Sequence, residues 1–465
     1  MASETLPPST EHLVHLYEEF EKTVDLKDAQ PQLGDLVRFN GNKDRPIHRW
    51  YTFKEGFSAE LLPWACRTAG IDWDGVANML DPFCGVGTSL LSAQLACQGE
   101  RVLHAYGIEH NPFIRFVARA KLSWPEYRPQ RIKDLITKLT SPSGSTEAAE
   151  HEVPELSTIH NPKVFDTATV QELLALRDRI RDELTNQPEE GFFLLGWAAA
   201  IEQASGVRKD GRALRFVERR NTPPVKDLVR GNWESMLSDL TALKQKGGSP
   251  SNVVCLIVAG DGRNLSVSDS QTESGKQMIP ELEEKAFDLI LYSPPYLNNI
   301  DYSEVYKLEL WLAGHIGTAE QFRALRLGSL RSHPSIKFPD TSLLDELPGN
   351  LWARRLRDSL LQSLPDNNDR LWRARLIRGY VDDMYEALSA QLKVARPGGA
   401  VVCVVGNSLH GRKDHPIPVA TDLLISALAQ AVGFDVERVQ VARQLRRRDH
   451  NNRLLRESVI FMRCP

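Results

Sequence analysis

Asp81-Pro-Phe-Cys-Gly-Val-Gly-Thr88 is the stretch whose reading decides the fold. It follows the short apolar run that begins at Asn78 and opens onto Ser89-Leu-Leu, so a strand ends and a helix begins within it. Gly85 and Gly87 remove side chains, which lets backbone approach a bound group closely. The helix N-terminus near Thr88 favours negative charge such as a carboxylate. A nicotinamide-dinucleotide loop would carry a third glycine where Leu90 stands, and a Walker loop would need a lysine that is missing here. Taken alone, the two glycines suit a ligand-free turn as well as a binding site. Asp81-Pro-Phe83 ahead of them favours the site.

Four more apolar runs bounded by Gly, Pro, Asn or Asp stand at 104–109, 253–261, 287–292 and 400–406, the last after the turn Arg396-Pro-Gly-Gly399. With 78–83 they are predicted to be parallel strands buried on both faces. Residues 434–441 and 458–463 are predicted to add a closing hairpin. Seven strands with helices between them give a doubly wound α/β sheet. The second and third strands lie about 145 residues apart, far more than one crossover helix needs. Thr169 and Glu172 read as a capping box before helically spaced Val170, Leu173, Leu174, Ile180 and Leu184. A second apolar helix is expected at 192–201, then a basic loop with Arg208, Arg212, Arg215, Arg219 and Arg220. A second insertion from about Gly314 carries Arg323, Arg326, Arg331, Arg354, Arg355 and Arg357. The expected division is an N-terminal extension at 1–45, core at 46–120, a helical insertion at 121–250 that would recognise the target, core at 251–313, a second insertion at 314–378, and core at 379–465. Residues 141–152 and 266–276 are polar, poor in apolar side chains, and expected to be mobile.

Composition constrains less. The 465 residues include 42% hydrophobic and 25% charged, and the net charge is −4. Such a balance neither requires nor excludes a nucleic-acid partner. Cys66, Cys84, Cys97, Cys255, Cys403 and Cys464 form no CxxC pair, so no metal site is expected and reduced thiols in a cytosol fit. The polar, acidic N-terminus lacks a secretory layout, and the longest apolar stretches are too short to span a bilayer. The expectation is a cytoplasmic protein with no membrane partner.

Two further constellations carry chemistry. Gly107-Ile-Glu-His-Asn-Pro112 closes the second strand, with Glu109 roughly 20 residues past the glycine turn, where an acid can accept hydrogen bonds from ribose hydroxyls. Gly260-Asp-Gly-Arg-Asn264 closes the third, and Asp261 there could accept from an adenine amino group, or serve simply as a turn residue. Asp288-Leu-Ile-Leu-Tyr-Ser-Pro-Pro-Tyr296 runs a buried strand into a turn stiffened by two prolines, which fix φ and remove two N–H donors. Carbonyl oxygens, the Ser293 hydroxyl and the flat face of Tyr296 are then available at the strand end.

The glycine turn and Ser293-Pro-Pro-Tyr296 together resemble motifs I and IV of the amino-methyltransferase family that acts on DNA. Ser-Pro-Pro-Tyr resembles the cytosine-N4 branch, whereas the adenine-N6 branch more often shows Asn or Asp first. Arg49-Trp-Tyr-Thr-Phe-Lys-Glu-Gly-Phe57 resembles motif X, and Glu109 and Asp261 match motifs II and III. The resemblance covers the strands, roughly half the chain, and leaves both insertions outside it. It implies a Rossmann-like class I methyltransferase fold, a mixed seven-stranded sheet with helical insertions. It implies S-adenosylmethionine held by Tyr51, Lys54, Phe57, Asp81, Phe83, Gly85, Gly87, Thr88, Glu109, Asn111 and Asp261. It implies catalysis at Ser293, Pro294, Pro295 and Tyr296 without a metal. Two amine N–H bonds would be accepted at Ser293 and the Pro294 carbonyl, and Tyr296 would stack on the base. The partner implied is duplex DNA with its target base flipped out, with restriction or defence proteins as further partners. Cytosine-C5 chemistry would need a Pro-Cys dipeptide, which the chain lacks. Adenine-N6 methylation stays open, as does guanine-N2 methylation of RNA, whose enzymes share the Asp-Pro-Phe-Cys-Gly turn; a non-catalytic nucleic-acid-binding subunit is the rival from another class. Lys54, Asn298, Asn299, Asp301 and Tyr302 flank the two motifs and could line the pocket. The basic cluster Arg443, Arg446, Arg447, Arg448, Arg453 and Arg456 reads equally as phosphate contacts or as a solvated hairpin.

Overall fold

In the computed structural model the described residues are 8–96, 102–141, 151–211, 213–218, 222–245, 252–267, 286–298, 300–349, 351–411, 416–445 and 452–465. Arg212, Arg219, Arg220, Asn299, Arg446, Arg447 and Arg448 lie outside them, as does most of 141–152 and 266–276. All seven expected strands form, with one short addition: β1 (Leu26–Lys27), β2 (Asn78–Asp81), β3 (Leu103–Ile108), β4 (Val253–Val258), β5 (Phe287–Tyr292), β6 (Ala395–Gly406), β7 (Asp435–Gln444) and β8 (Arg456–Arg463). They form one sheet in the order β1-β7-β8-β6-β5-β2-β3-β4. β8 alone runs antiparallel to its neighbours β6 and β7; every other pair is parallel. This is a doubly wound, Rossmann-like mixed sheet.

Burial on both faces explains the apolar runs. In β6, Ala400, Val402 and Val404 join one core, and Val401, Cys403 and Val405 join the other. β5 divides the same way, Leu289 and Leu291 against Ile290 and Tyr292. The period of two persists, but each face needs an apolar residue. The order also fixes a site. From β2 the chain turns to one side for β3 and β4, then returns to lay β5 on the other side of β2. Loops leaving the carboxyl ends of β2 and β5 therefore diverge, and a crevice opens between them. The glycine turn and Ser293–Tyr296 leave those two ends.

Several local expectations change. The third strand stops at Val258, and Gly260-Asp261 pairs instead with Ser266-Val267. The helix Thr167–Leu184 is capped by Asp166, whose Oδ1 accepts from the Thr169 N–H at 2.7 Å, so Thr169 lies inside the helix rather than capping it. An aspartate three residues earlier wins because its carboxylate reaches the same free N–H. The apolar helix is Pro188–Ala204, and the basic loop is a hairpin of Val207–Asp210 with Ala213–Phe216. The N-terminal extension is no appendage: helix Pro8–Glu21 buries Leu13, Tyr17 and Phe20 completely, within the core that also holds Leu356 and Leu428. Helix Arg370–Val394 runs across the boundary drawn at 378. Phe192, Trp197 and Trp233 of the first insertion share a core with Leu90 and Phe113.

The two insertion helices supply a paired test. A Cβ on Gly196 would lie 2.4 Å from Trp233 Cδ1, whereas one on Gly231 meets nothing within 4 Å. Gly196→Ala should destabilise the fold by about 1–3 kcal/mol through overpacking. Gly231→Ala should stabilise it by about 0.5–1 kcal/mol, since alanine loses less freedom in a helix. Urea unfolding of both variants checks this, and equal effects would contradict the packing described.

Candidate functional site

The glycine turn is held by its own acid. Asp81, buried, accepts from the Phe83 N–H at 3.1 Å and from the Ser89 hydroxyl. Gly85 and Gly87 have φ of 53° and 77°, the left-handed region that favours glycine. Each is also crowded: a Cβ on Gly85 would lie 3.3 Å from the Phe53 ring, and one on Gly87 3.2 Å from Ala118 Cβ. Thr88 begins the helix Thr88–Ala96. The turn of the third strand closes over the first, since a Cβ on Gly262 would sit 2.2 Å from the Pro82 carbonyl oxygen and 2.8 Å from the Phe83 ring.

Glu109 bridges two elements. It accepts from the Gly85 N–H at 3.0 Å and from the Asn111 N–H at 2.7 Å, so it fixes the glycine turn to the end of β3. Burial pushes Glu109 up to about 7, and Asp81 likewise to about 7. Asn111 caps helix Pro112–Leu122, accepting from the N–H groups of Phe113 and Ile114, and its buried Nδ2 has no partner. Asp261 is committed: Arg263 donates to both its oxygens, at 2.6–2.9 Å, and reaches Asp383 as well.

Ser293 donates its one proton toward the Val404 carbonyl at 3.1 Å and the Tyr296 hydroxyl at 3.2 Å. Tyr296 donates to Glu457 at 3.0 Å, and Glu457 accepts from Arg443 Nε at 2.6 Å. The Tyr296 ring lies on Gly406, where a Cβ would come within 2.8 Å of it. Asp301 caps the next short helix and pairs with Arg326 of the second insertion at 2.9 Å. Pro294 and Pro295 are both trans, as is every described peptide bond.

Residues 49–57, the stretch that resembles motif X, lie against the glycine turn through Phe53. Phe53, not Phe57, covers Gly85, and it stacks with Tyr302 and Tyr306 at centroid distances of 6.5 and 5.6 Å. Phe57 is buried in the core. Tyr51 donates to Glu309 at 3.0 Å and accepts from buried Lys209 at 2.9 Å; Lys209 also pairs with Glu309. Lys54 donates to the Lys209 carbonyl. Lys121, buried, donates to the His48 and Tyr51 carbonyls at 2.9 and 3.0 Å, and burial pushes it down to about 7. Sequence reasoning missed Phe53, Glu457 and Lys209, because nothing in their spacing shows which strand or hairpin brings them in.

The basic clusters separate into different roles. Arg456 is buried between Asp422 and Glu21, and Arg453 pairs with Glu18 and Glu21. Arg326, Arg331 and Arg357 are likewise tied to carboxylates. Arg208 is exposed, and Arg443 is linked through Glu457 to the Ser293–Tyr296 turn. Among the described residues, no His, Cys, Asp or Glu group is placed to hold a metal ion, and no helix is long and apolar enough to cross a membrane.

Relatives extend along nearly the whole chain. It is 22% identical over 456 residues to the Type II methyltransferase M.BsoBI of Geobacillus stearothermophilus, covering 88% of this chain and 82% of that protein. It is 26% identical over 434 residues to the Type II methyltransferase M.AvaI of Nostoc sp., covering 87% and 83%. No family model matches. Among solved structures, the rRNA methyltransferase aviRa from Streptomyces viridochromogenes aligns over 91% of this chain and 87% of that one, at 11% identity and a TM-score of only 0.28.

The buried acid of the glycine turn makes a pH test. Asp81 titrates near 3.8 when unfolded and near 7 when folded, so over that window the folded state holds a proton that the unfolded state has lost. The stability it supports is complete below the unfolded value and disappears as pH rises through the folded one. Asp81→Asn removes the titration, so urea unfolding should show the variant gaining on the wild type between about pH 4 and about pH 7. A difference independent of pH would mean Asp81 is ionised throughout.

Proposed function

We propose that this chain is an S-adenosylmethionine-dependent methyltransferase that methylates an exocyclic amino group of a base in DNA, and that the base is cytosine, modified at N4. The observation that carries the proposal is the pairing of β2 with β5, which sets the glycine turn beside the Ser293–Tyr296 turn. Relatives named as Type II methyltransferases along nearly the full length support it.

The residues fit the cofactor at the glycine turn and at the ribose. Gly85 presents bare backbone beneath Phe53 and Gly87 against Ala118, and Glu109 holds acceptor capacity at the strand end. Asn111 Nδ2 is a buried donor without a partner. Asp261 enters the adenine role only by exchanging a contact with Arg263. When bound, the cofactor supplies a methyl group on a sulfonium, activated for attack by a nitrogen lone pair.

The chain's own work is positioning and polarity. Val404 takes the Ser293 proton, so Ser293 offers a ligand only lone pairs. That polarity suits accepting an amine N–H, with the Pro294 carbonyl as the second acceptor. Drawing both N–H bonds toward these oxygens biases the nitrogen toward tetrahedral geometry and frees its lone pair for the methyl carbon. Tyr296 is held at its hydroxyl by Glu457 and on one face by Gly406, leaving the other face to stack on the flipped base. In this reading a partner nuclease of a restriction system would be blocked by the mark.

Incubation with labelled S-adenosylmethionine and unmethylated DNA, digestion to nucleosides and mass spectrometry should find N4-methylcytosine. N6-methyladenine would overturn the base assignment alone, and label entering RNA but not DNA would overturn the substrate. Tyr296→Ala should lose about 1–3 kcal/mol of base stacking, with cofactor affinity nearly unchanged. Gly406→Ala should slow single-turnover transfer by pushing the same ring aside. Wild-type rates in both variants would make the turn structural.

A further inference from the structure

A groove of about 640 Å³ lies on the side of residues 49–54 away from Gly85. Its wall joins six stretches of chain: residues 38–43, 49–54, helix Pro188–Ala204, the hairpin at 208–209, Asn232 of helix Val225–Gln245, and Arg443 of β7. Arg38, Lys43, Arg49, Lys54, Arg208, Lys209 and Arg443 line it, against Glu202 as the one lining carboxylate. Phe39, Trp50 and Tyr51 form its floor and are almost wholly buried.

Not all of that charge faces outward. Asp239 stands behind Arg49, Glu309 behind Lys209, and Glu457 behind Arg443. The field in the groove therefore comes chiefly from Arg38, Lys43, Lys54 and Arg208. Arg38 has Asp35 beside it, an exposed pair that water screens. Two basic stretches far apart in sequence, at Arg208 and Arg443, meet here. Arg443 also anchors the groove to the chemistry, since Arg443, Glu457 and the Tyr296 hydroxyl are linked by hydrogen bonds of 2.6 and 3.0 Å.

We propose that this groove is the phosphodiester-binding surface of the chain, holding the backbone of the nucleic acid beside the target base. The inference rests on the nucleic-acid methyltransferase reading. A channel whose exposed cations come from several separate stretches of chain suits a polyanion better than a single small anion. One of its lining cations, Arg443, is tied through Glu457 to Tyr296 of the turn where the base would be presented. Arg443 is thus a positioning residue, set between backbone contact and the Tyr296 ring.

The test compares two triple variants that remove the same net charge. Arg38→Gln, Lys43→Gln and Arg208→Gln strip the groove. Lys22→Gln, Arg67→Gln and Lys133→Gln strip exposed sites elsewhere. Affinity for a fluorescent mixed-sequence DNA duplex is measured across a salt series, and S-adenosylmethionine binding is measured on the same samples. The groove variant should flatten the log-affinity against log-salt slope by roughly 0.9 per phosphate contact, about 2.7 if all three residues contact phosphates. The control triple should keep the wild-type slope, and cofactor binding should be unchanged in both. Equal slopes in the two triples, with the wild type transferring methyl groups to DNA, would overturn the groove and leave the proposed function standing. Loss of slope in the groove triple of a wild type that binds no cofactor would support the groove and overturn the function.

Discussion

Everything at the site depends on one short parallel pairing, Met79 with Leu289 and Leu80 with Ile290. This pairing joins β2 to β5, and it brings two turns more than 200 residues apart to one edge of the sheet. Asp288 secures it from the other end: Oδ2 accepts from the N–H groups of Ala77 and Asn78 at 2.7 and 2.8 Å, and Arg396 pairs with Oδ1 at 2.5 Å. A one-residue slip would exchange the two faces of β5 and turn Ile290 and Tyr292 toward the wrong core. The acid at one end of the strand and the apolar alternation along it thus fix where Ser293 emerges.

The sheet was legible in the sequence because its strands are buried on both faces and bounded by turn residues. The glycine turn was legible because a left-handed backbone beneath an aromatic ring demands glycine. Other features had no local signal. Phe53 and Phe57 occupy the same kind of position in the sequence, and only the fold shows that Phe53 lies over Gly85. Arg456 looks like its basic neighbours, yet Asp422 and Glu21 draw it into the interior from two distant helices. Asp166 displaced Thr169 as cap because two competent caps stood three residues apart, and tertiary packing fixed where the helix begins. Glu457 is one acid among many until β8 is laid against β6 and β7.

The acids around the site divide by what they accept. Glu109 and Asp81 accept mainly from backbone N–H and a hydroxyl, so burial outweighs the opposing pull, that of Arg115 on Glu109 included, and both rise toward neutrality. Asp261, Asp301, Glu309 and Glu457 instead face arginine or lysine. The glycine turn is therefore kept low in fixed charge, while the surrounding ties are ionic. A cationic ligand at that turn would meet two carboxyl groups able to ionise in response, which couples its binding to proton release.

Those ionic ties have a common direction. Lys209 carries the first insertion to Glu309 and Tyr51, Arg326 carries the second to Asp301, and Arg331 shares Asp383 with Arg263, which holds Asp261. Buried pairs of this kind add little net stability, because desolvation consumes most of the attraction, yet breaking one partner is costly. Their effect is to fix register. A methyl transfer controlled by position demands that whatever contacts the nucleic acid be held rigidly against the turn that presents the base. Apolar packing alone would let the insertion helices settle by sliding, whereas a lysine or arginine seated against one carboxylate permits one placement. The insertions share the core and are fastened at the rim of the site, so under the proposed function contact along the groove and the presentation of a base at Ser293 would belong to one mechanical unit.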